Sequence, residues 1–250
     1  MVVYLTLELP FATNKIQLVI GFFVLIFITL PTIFIIFFKD NFLKKYPKFV
    51  IFWKVYRVFY AVIFVLYIAA WIFGVWHLSY IDKTQKTINF INSEKITLDD
   101  VMGKNLPPSP DQKINDSTVA GIDANKNYIR DDVELAIFKK YPNSARIRAA
   151  DLQYAQELQL KLISVYNGDT WIASAKNENN GISCIVKTAF GEYSATRDQI
   201  DKSREWQGEV ELLVFNTNIR QGRAEAIDKY EKVYVVGDGQ CDISVNELGN

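Results

Sequence analysis

The sequence has very few of the residues on which most metalloenzymes and hydrolases depend. It contains one histidine, His77, two cysteines, Cys184 and Cys241, and no Cys-x-x-Cys pair. A zinc or redox site therefore has almost no ligands to draw on. A serine or cysteine hydrolase triad is excluded too, because the single histidine follows Trp76 at the end of an apolar run and no Gly-x-Ser-x-Gly elbow is present. His77 is better explained as an interfacial anchor, and no enzyme is predicted.

Clusters of basic residues are also missing from the larger part of the chain. Residues 1–78 carry seven Lys or Arg against two acids, whereas residues 79–250 carry 21 basic against 26 acidic residues. The net charge of zero is thus the sum of a basic N-terminal part and a mildly acidic C-terminal part. A mildly acidic domain without a Lys/Arg cluster is a poor nucleic-acid binder, so no nucleic-acid partner is predicted.

Two long apolar runs, 16–38 and 58–78, contain no charged residue. Each is long enough to cross about 30 Å of hydrocarbon as a helix. The loop 39–57 between them is rich in lysine and arginine, so the positive-inside rule makes it cytoplasmic and places both chain ends outside. Two buried helices of a soluble protein would be shorter and would show a polar stripe. The sequence therefore predicts a two-helix transmembrane hairpin in a bacterial inner membrane, with the N terminus and the C-terminal domain on the periplasmic side.

The residues after the second run divide into a tether and a domain. Residues 79–117 are polar and end in the proline-rich Leu106-Pro-Pro-Ser-Pro110, which favours an extended spacer, with one short helix starting at Thr97. From residue 118 to 250 apolar residues recur at helical spacing and no stretch alternates long enough for a strand. The predicted fold class is a membrane-anchored all-α protein with a helical extracytoplasmic domain, its last helix running from about Asn218 to Tyr234.

Oxygen-bearing side chains alternate in the stretch Gly121–Glu134. Side chains at every second position of a loop can converge on a hard cation, and a glutamate at the twelfth position can close the shell. The predicted calcium ligands are the side chains of Asp123, Asn125, Asn127, Asp131 and Glu134 together with the main-chain carbonyl of Ile129. Lys126 and Arg130 are expected to point outward, where their charges serve solubility. The alternative is an Asx-rich turn that caps the next helix without a metal.

The loop resembles the Asp-rich loops of thrombospondin type 3 repeats and of EF-hand-like calcium modules. In those families the positions matching the six residues above bind calcium, so the resemblance implies Ca²⁺ as the cofactor. Tyr128 departs from the pattern, because it stands where glycine normally makes the sharp turn. More widely, residues 108–242 resemble a group of uncharacterised bacterial secreted proteins, through Gly121-Ile-Asp, Arg130-Asp-Asp-Val, Tyr141-Pro, Asn216-Thr and Cys241. That group implies a location outside the inner membrane and no particular activity.

The two cysteines, Cys184 and Cys241, both lie in the part of the chain predicted to be outside the cytoplasm. In an oxidising compartment such a pair is expected to form a disulfide, which would stabilise the fold by about 4 kcal/mol. The alternative is that Cys184 is simply a small buried apolar residue.

These features predict a membrane-tethered interaction or accessory module whose calcium site is structural and whose partner is another envelope protein. An immunity or exclusion protein that neutralises a toxin or a competitor at the membrane is the alternative. A homo-oligomer is compatible with either. The two membrane runs contain no ionisable Asp, Glu, Lys or Arg, which argues against a proton or ion relay.

Overall fold

The computed structural model describes residues 47–191, 196–244 and 248, and the side chains of 47–54, 56 and 57 are left out of that description. The predicted membrane span 16–38 and the first part of the loop 39–57 lie outside the described residues. The described residues form helices and contain no strand. The helices are α1 (Pro47–Ser93), α2 (Leu98–Met102), α3 (Gln112–Asn115), α4 (Asp131–Lys140), α5 (Ala145–Ser164), α6 (Gly168–Phe190), α7 (Arg197–Val214) and α8 (Asn218–Asp228).

The chain divides into two compact units, Met1–Leu78 and Ser79–Asn250. In the first unit, α1 carries the second predicted membrane span. Its apolar part, beginning at Val58, is long and apolar enough to cross a membrane by length and composition. Large side chains such as Phe59 and Val65 are exposed along it, and none of that stretch is buried inside the protein. Only one such helix lies within the described residues, and these residues do not include the first helix of the predicted hairpin.

The second unit begins earlier than the predicted domain, because part of the segment predicted as a tether contributes to the core. Ile91 is fully buried, and Ile96 and Val101 belong to the same hydrophobic cluster as the helices that follow. The short helix expected at Thr97 is present as α2, where Thr97 and Asp100 form a reciprocal capping box. Residues 106–110, the proline-rich part of this segment, have no regular secondary structure. The apolar positions before it are integral to the domain.

Helix α5 is the centre of the second unit. Nearly all of its residues are buried, including Leu152, Leu158 and Leu162, and it packs most extensively on α6, with α2, α4, α7 and α8 around it. Ser144 caps α5 by accepting a hydrogen bond from the Ile147 N–H at 3.3 Å. Each fully buried leucine contributes about 1.5–3 kcal/mol relative to an exposed one, so this helix carries much of the fold's hydrophobic stabilisation.

Helix α6 runs without interruption through Gly181, where the sequence suggests a weak point. The glycine is required by close packing. A Cβ there would lie 2.1 Å from Glu157 Oε2 and 3.0 Å from the Tyr154 Cα. The Gly181 N–H also donates to Glu157 Oε2 at 2.8 Å. The residue that weakens the helix in isolation is therefore the one that lets α5 and α6 approach.

The last helix is shorter than predicted. Helix α8 ends at Asp228, and residues 231–240 form an extended strap with no regular structure. The strap follows α6: Tyr234 packs edge to face on Trp171 at 5.7 Å between ring centroids, and farther along Cys241 is bonded to Cys184. Its Val-Tyr-Val-Val sequence, rich in β-branched residues, favours an extended backbone over a helix, and the disulfide holds its far end. The predicted pairing of Cys184 with Cys241 is thus confirmed.

Candidate metal centre

The loop predicted to bind calcium connects α3 to α4 and lies against the core. Asp131 and Glu134 are each 1 % exposed, since they belong to the buried side of the first turns of α4, and Ile129 is buried beside them. Asp123, Asn125 and Asn127 are partly buried. All of the predicted ligands therefore belong to one continuous loop and helix start.

The loop makes a sharp turn at Tyr128, although this residue stands where calcium loops normally have a glycine. Both Lys126 and Tyr128 have φ of 61°, in the left-handed region that usually requires glycine. A non-glycine residue there costs about 1–2 kcal/mol. Two sets of contacts offset this cost. The Asp123 carboxylate accepts hydrogen bonds from the N–H groups of Asn127 at 3.2 Å and Tyr128 at 3.0 Å. The Tyr128 ring packs on the Phe90 ring, with 5.0 Å between the ring centroids.

Two oxygen atoms of the loop are buried and lack a partner within the described residues. Asp131 Oδ1 accepts from the Ala124 N–H at 2.9 Å, but Asp131 Oδ2 has no hydrogen-bond partner. Asn125 donates through Nδ2 to Glu134 Oε2 at 2.9 Å, which leaves its Oδ1 buried and without a partner. A buried polar atom without a partner costs about 1–3 kcal/mol. A cation would satisfy the two oxygens, whereas Asn127 Nδ2, which is also buried without a partner, is a donor and would need an acceptor.

The carboxyl groups of the loop have raised pKa values. Burial raises the pKa of the Asp123 carboxyl and of the Asp131 carboxyl, and the negative charge of Asp123 raises the latter further. Burial raises the pKa of Glu134 to about 7, opposed by the hydrogen bond from Asn125 and reinforced by the charges of Asp100 and Asp131. A divalent cation would reverse each of these penalties by favouring the ionised form.

As the side chains are placed, no three His, Cys, Asp or Glu residues in the described part of the chain form a group that could hold a metal ion. The predicted ligand set contains three carboxylates, those of Asp123, Asp131 and Glu134, and these three are not gathered into such a group. The set also includes two asparagine oxygens and a main-chain carbonyl. Calcium accepts that mixture in six- to eight-fold oxygen coordination. The donor chemistry and the partnerless oxygens of Asp131 and Asn125 therefore fit calcium.

Arg130 does not point outward as predicted. It is 1 % exposed, and its guanidinium donates to the carbonyl oxygens of Leu213 and Val214, at 2.7 and 2.9 Å, and to the carboxylate of Asp132. The last carbonyls of a helix have no intrahelical donors, and a guanidinium supplies several in a fixed fork. Lys126, by contrast, is exposed as expected.

A second buried arginine, Arg220 on α8, is not among the residues predicted from the sequence to belong to the site. Its guanidinium donates to Asn115 and Val119 carbonyls, to Asp116 and to Asn216. The signal for it is helical spacing: Arg220 stands four residues before Ala224 and seven before Ile227, both of which pack in the core.

Comparisons of the chain with protein-family models, with curated proteins and with solved structures find no match. The described residues define an all-helical protein with one helix apolar enough to cross a membrane and a disulfide-bonded helical domain. What the protein does is therefore inferred from its own residues.

Proposed function

We propose that this chain is a membrane-tethered accessory module of the bacterial envelope, anchored by a transmembrane hairpin, whose periplasmic helical domain holds a structural Ca²⁺ ion and binds another envelope protein. The observation that carries the calcium assignment is the pair of buried oxygens without partners, Asp131 Oδ2 and Asn125 Oδ1, in a loop of raised carboxyl pKa values. The ion would be held by Asp123, Asn125, Asn127, Ile129, Asp131 and Glu134. The disulfide supports the periplasmic location, because disulfides persist in oxidising compartments.

Calcium has a structural role in this proposal. The loop joins parts of the domain that are distant in sequence: Tyr128 contacts Phe90, the Gln156 amide donates to the Asn127 carbonyl at 2.7 Å, and Arg130 holds the end of α7. Neutralising the clustered carboxylates would stabilise all of these contacts at once.

The strap supports the partner-binding part of the proposal. Val233, Val235 and Val236 are 102 %, 86 % and 60 % exposed, while Tyr234 between them is anchored on Trp171. An extended segment with apolar side chains turned to solvent suits addition of an extended segment from another chain, in which main-chain hydrogen bonds give affinity and alternate side chains give specificity.

The calcium assignment is tested on the full chain in detergent by thermal unfolding with calcium and with chelator. At about 10 mM calcium, a site with a Kd of about 10⁻³ M gains about 1.4 kcal/mol, which raises the melting temperature by about 3–6 °C. Asp123→Ala with Glu134→Ala should abolish that rise, whereas Asp228→Asn, an exposed carboxylate outside the loop, should keep it. A calcium response that survives the double substitution would refute the assignment.

The partner assignment is tested by photocrosslinking in the native membrane. A photoreactive residue at Val233 or Val235 should give one discrete product, and the same residue at Leu212, which is 76 % exposed on α7, should not. A product of twice the chain mass would identify a second copy as the occupant. Equal labelling at all three positions would show that the strap has no specific partner.

A further inference from the structure

The start and the end of the ion loop are connected by a ring of hydrogen-bonded groups, centred on the buried residues Asn115 and Arg220, that touches none of the predicted ligand oxygens. At the start, the Asn115 Oδ1 atom accepts from the Ile122 N–H at 2.9 Å, and Ile122 immediately precedes Asp123. The Ile122 carbonyl in turn accepts from the Asp131 N–H at 2.9 Å, which connects the residue before the first loop position to the ninth position.

Arg220 occupies the middle of this ring. Its side chain is fully buried, and it donates to the Asn115 carbonyl and to Asn216 Oδ1 at 2.6 Å. Asn216 Nδ2 then donates to Asp132 Oδ2 at 3.2 Å, so the ring returns to the end of the loop. The path from Ile122 to Asp132 thus passes through Asn115, Arg220 and Asn216 in direct hydrogen bonds.

The packing around the ring leaves little freedom. Gly121 has φ of 67°, and a Cβ there would lie 2.2 Å from Arg130 Cδ and 2.7 Å from Asn115 Oδ1. The chain therefore enters the loop through a gap between Asn115 and Arg130 that only glycine fits. The position of Asp123 relative to Asp131 is set by these contacts before any ion arrives.

We propose that Arg220 is a positioning residue for calcium: it fixes the start of the loop through Asn115 and the end of the loop through Asn216 and Asp132, and thereby raises calcium affinity without contacting the ion. This inference rests on the proposed calcium site. Its physical basis is preorganisation, since a loop already held in its binding geometry loses less conformational freedom on binding. Outer-shell partners of metal ligands typically affect metal affinity by about 10–100-fold.

The test is a calcium titration of the full chain in detergent by isothermal calorimetry, with Arg220→Lys and a matched control, Arg223→Lys. The lysine keeps the charge and loses the planar fork that reaches several acceptors. Arg223 lies one turn along α8 and also donates to main-chain carbonyls, those of Leu162 and Val165, but makes no contact with the ring. Arg220→Lys should weaken calcium binding about tenfold, whereas Arg223→Lys should leave the Kd unchanged.

Melting temperatures in chelator separate positioning from stability. Both variants lose buried hydrogen bonds and should melt lower, so a purely structural role would lower both melting temperatures and leave the Kd of the folded protein unchanged. That result would overturn the inference. If Arg220→Lys does not fold, Asn216→Ala replaces it, because it breaks the ring between Arg220 and Asp132 at an exposed residue. It should also raise the Kd, and an unchanged Kd would refute the positioning role.

The wild-type titration distinguishes this inference from the function on which it rests. Absence of calcium binding by the wild-type chain would overturn both. Calcium binding by the wild type together with an unchanged Kd in the Arg220 or Asn216 variant would overturn the positioning role alone.

Discussion

Asp151 in the middle of α5 makes the stability of the domain depend on pH. It is 3 % exposed, and its Oδ1 atom accepts a hydrogen bond from Trp206 Nε1 at 2.6 Å. Burial raises the pKa of its carboxyl to about 7; the Trp206 hydrogen bond and Lys140 oppose the rise, and Glu209 adds to it. In the unfolded chain an aspartate titrates near pH 4.

The direction in which stability changes with pH follows from the raised pKa of Asp151 in the folded state. The folded form binds a proton more tightly than the unfolded form, so this contribution to stability is fully present below about pH 4 and is lost as pH rises through about 7. A difference of about three pH units between the two pKa values corresponds to about 4 kcal/mol. The domain should therefore become less stable between pH 4 and 7 by up to that amount from this residue.

Asp151→Asn isolates the effect, because asparagine keeps an oxygen for Trp206 and has no proton to lose. We expect the wild type and the variant to be similar near pH 4 and the variant to be more stable at pH 8. The measurement is urea unfolding of the full chain at saturating calcium, followed by tryptophan fluorescence from pH 4 to 8. Asp201→Asn, an exposed carboxylate paired with Arg204, serves as the control and should follow the wild type. Parallel curves for the wild type and Asp151→Asn would refute the reasoning.

Two further predictions concern helix α6. Gly181→Ala should destabilise the domain by about 1–3 kcal/mol in urea unfolding, because the added methyl group overpacks against Glu157. The control is Gly208→Ala, where the added Cβ would meet nothing within 4 Å. This substitution should be neutral or stabilising by up to about 1 kcal/mol. If both substitutions behave alike, the close approach at Gly181 is unimportant. Replacing Cys184 and Cys241 with serine should cost about 4 kcal/mol in the same assay, because the bond closes a loop across 57 residues. An unchanged midpoint would show that the disulfide adds nothing to stability.

The parts of the fold that were predictable are those with a local signal. Helical periodicity, caps at Thr97 and Ser144 and the break at Pro142 each act over a few residues, and the corresponding helices form. The predicted helix beyond Asp228 was wrong, because tertiary contacts of the strap with α6 and the disulfide override the local preference there. Ile96 and Val101 sit in a polar segment, so nothing local marks them as core residues.

The candidate site likewise has one part with a local signal in the sequence and another part without one. The alternation of oxygen-bearing residues from Asp123 to Glu134 is visible in the sequence, and in the structure these residues lie in the loop before α4 and in the first turn of α4. The burial of Arg130 was not predictable from its neighbours, since it depends on the free carbonyls at the end of α7, more than eighty residues away. Arg220 reaches the loop across a similar distance in sequence, and only its helical spacing hints at a buried face.

The last residues of the chain have a consequence for how the protein is made. Asp242 pairs with Lys95 and accepts from the Ile96 N–H, 147 and 146 residues away, while its own N–H donates to Gln153 at 2.9 Å. A chain synthesised from its N terminus therefore contains Lys95 and Ile96 long before it contains Asp242, the residue that pairs with them. The Ile96 N–H therefore has no Asp242 carboxylate to donate to until residue 242 has been synthesised, so packing of this edge is a late event in folding.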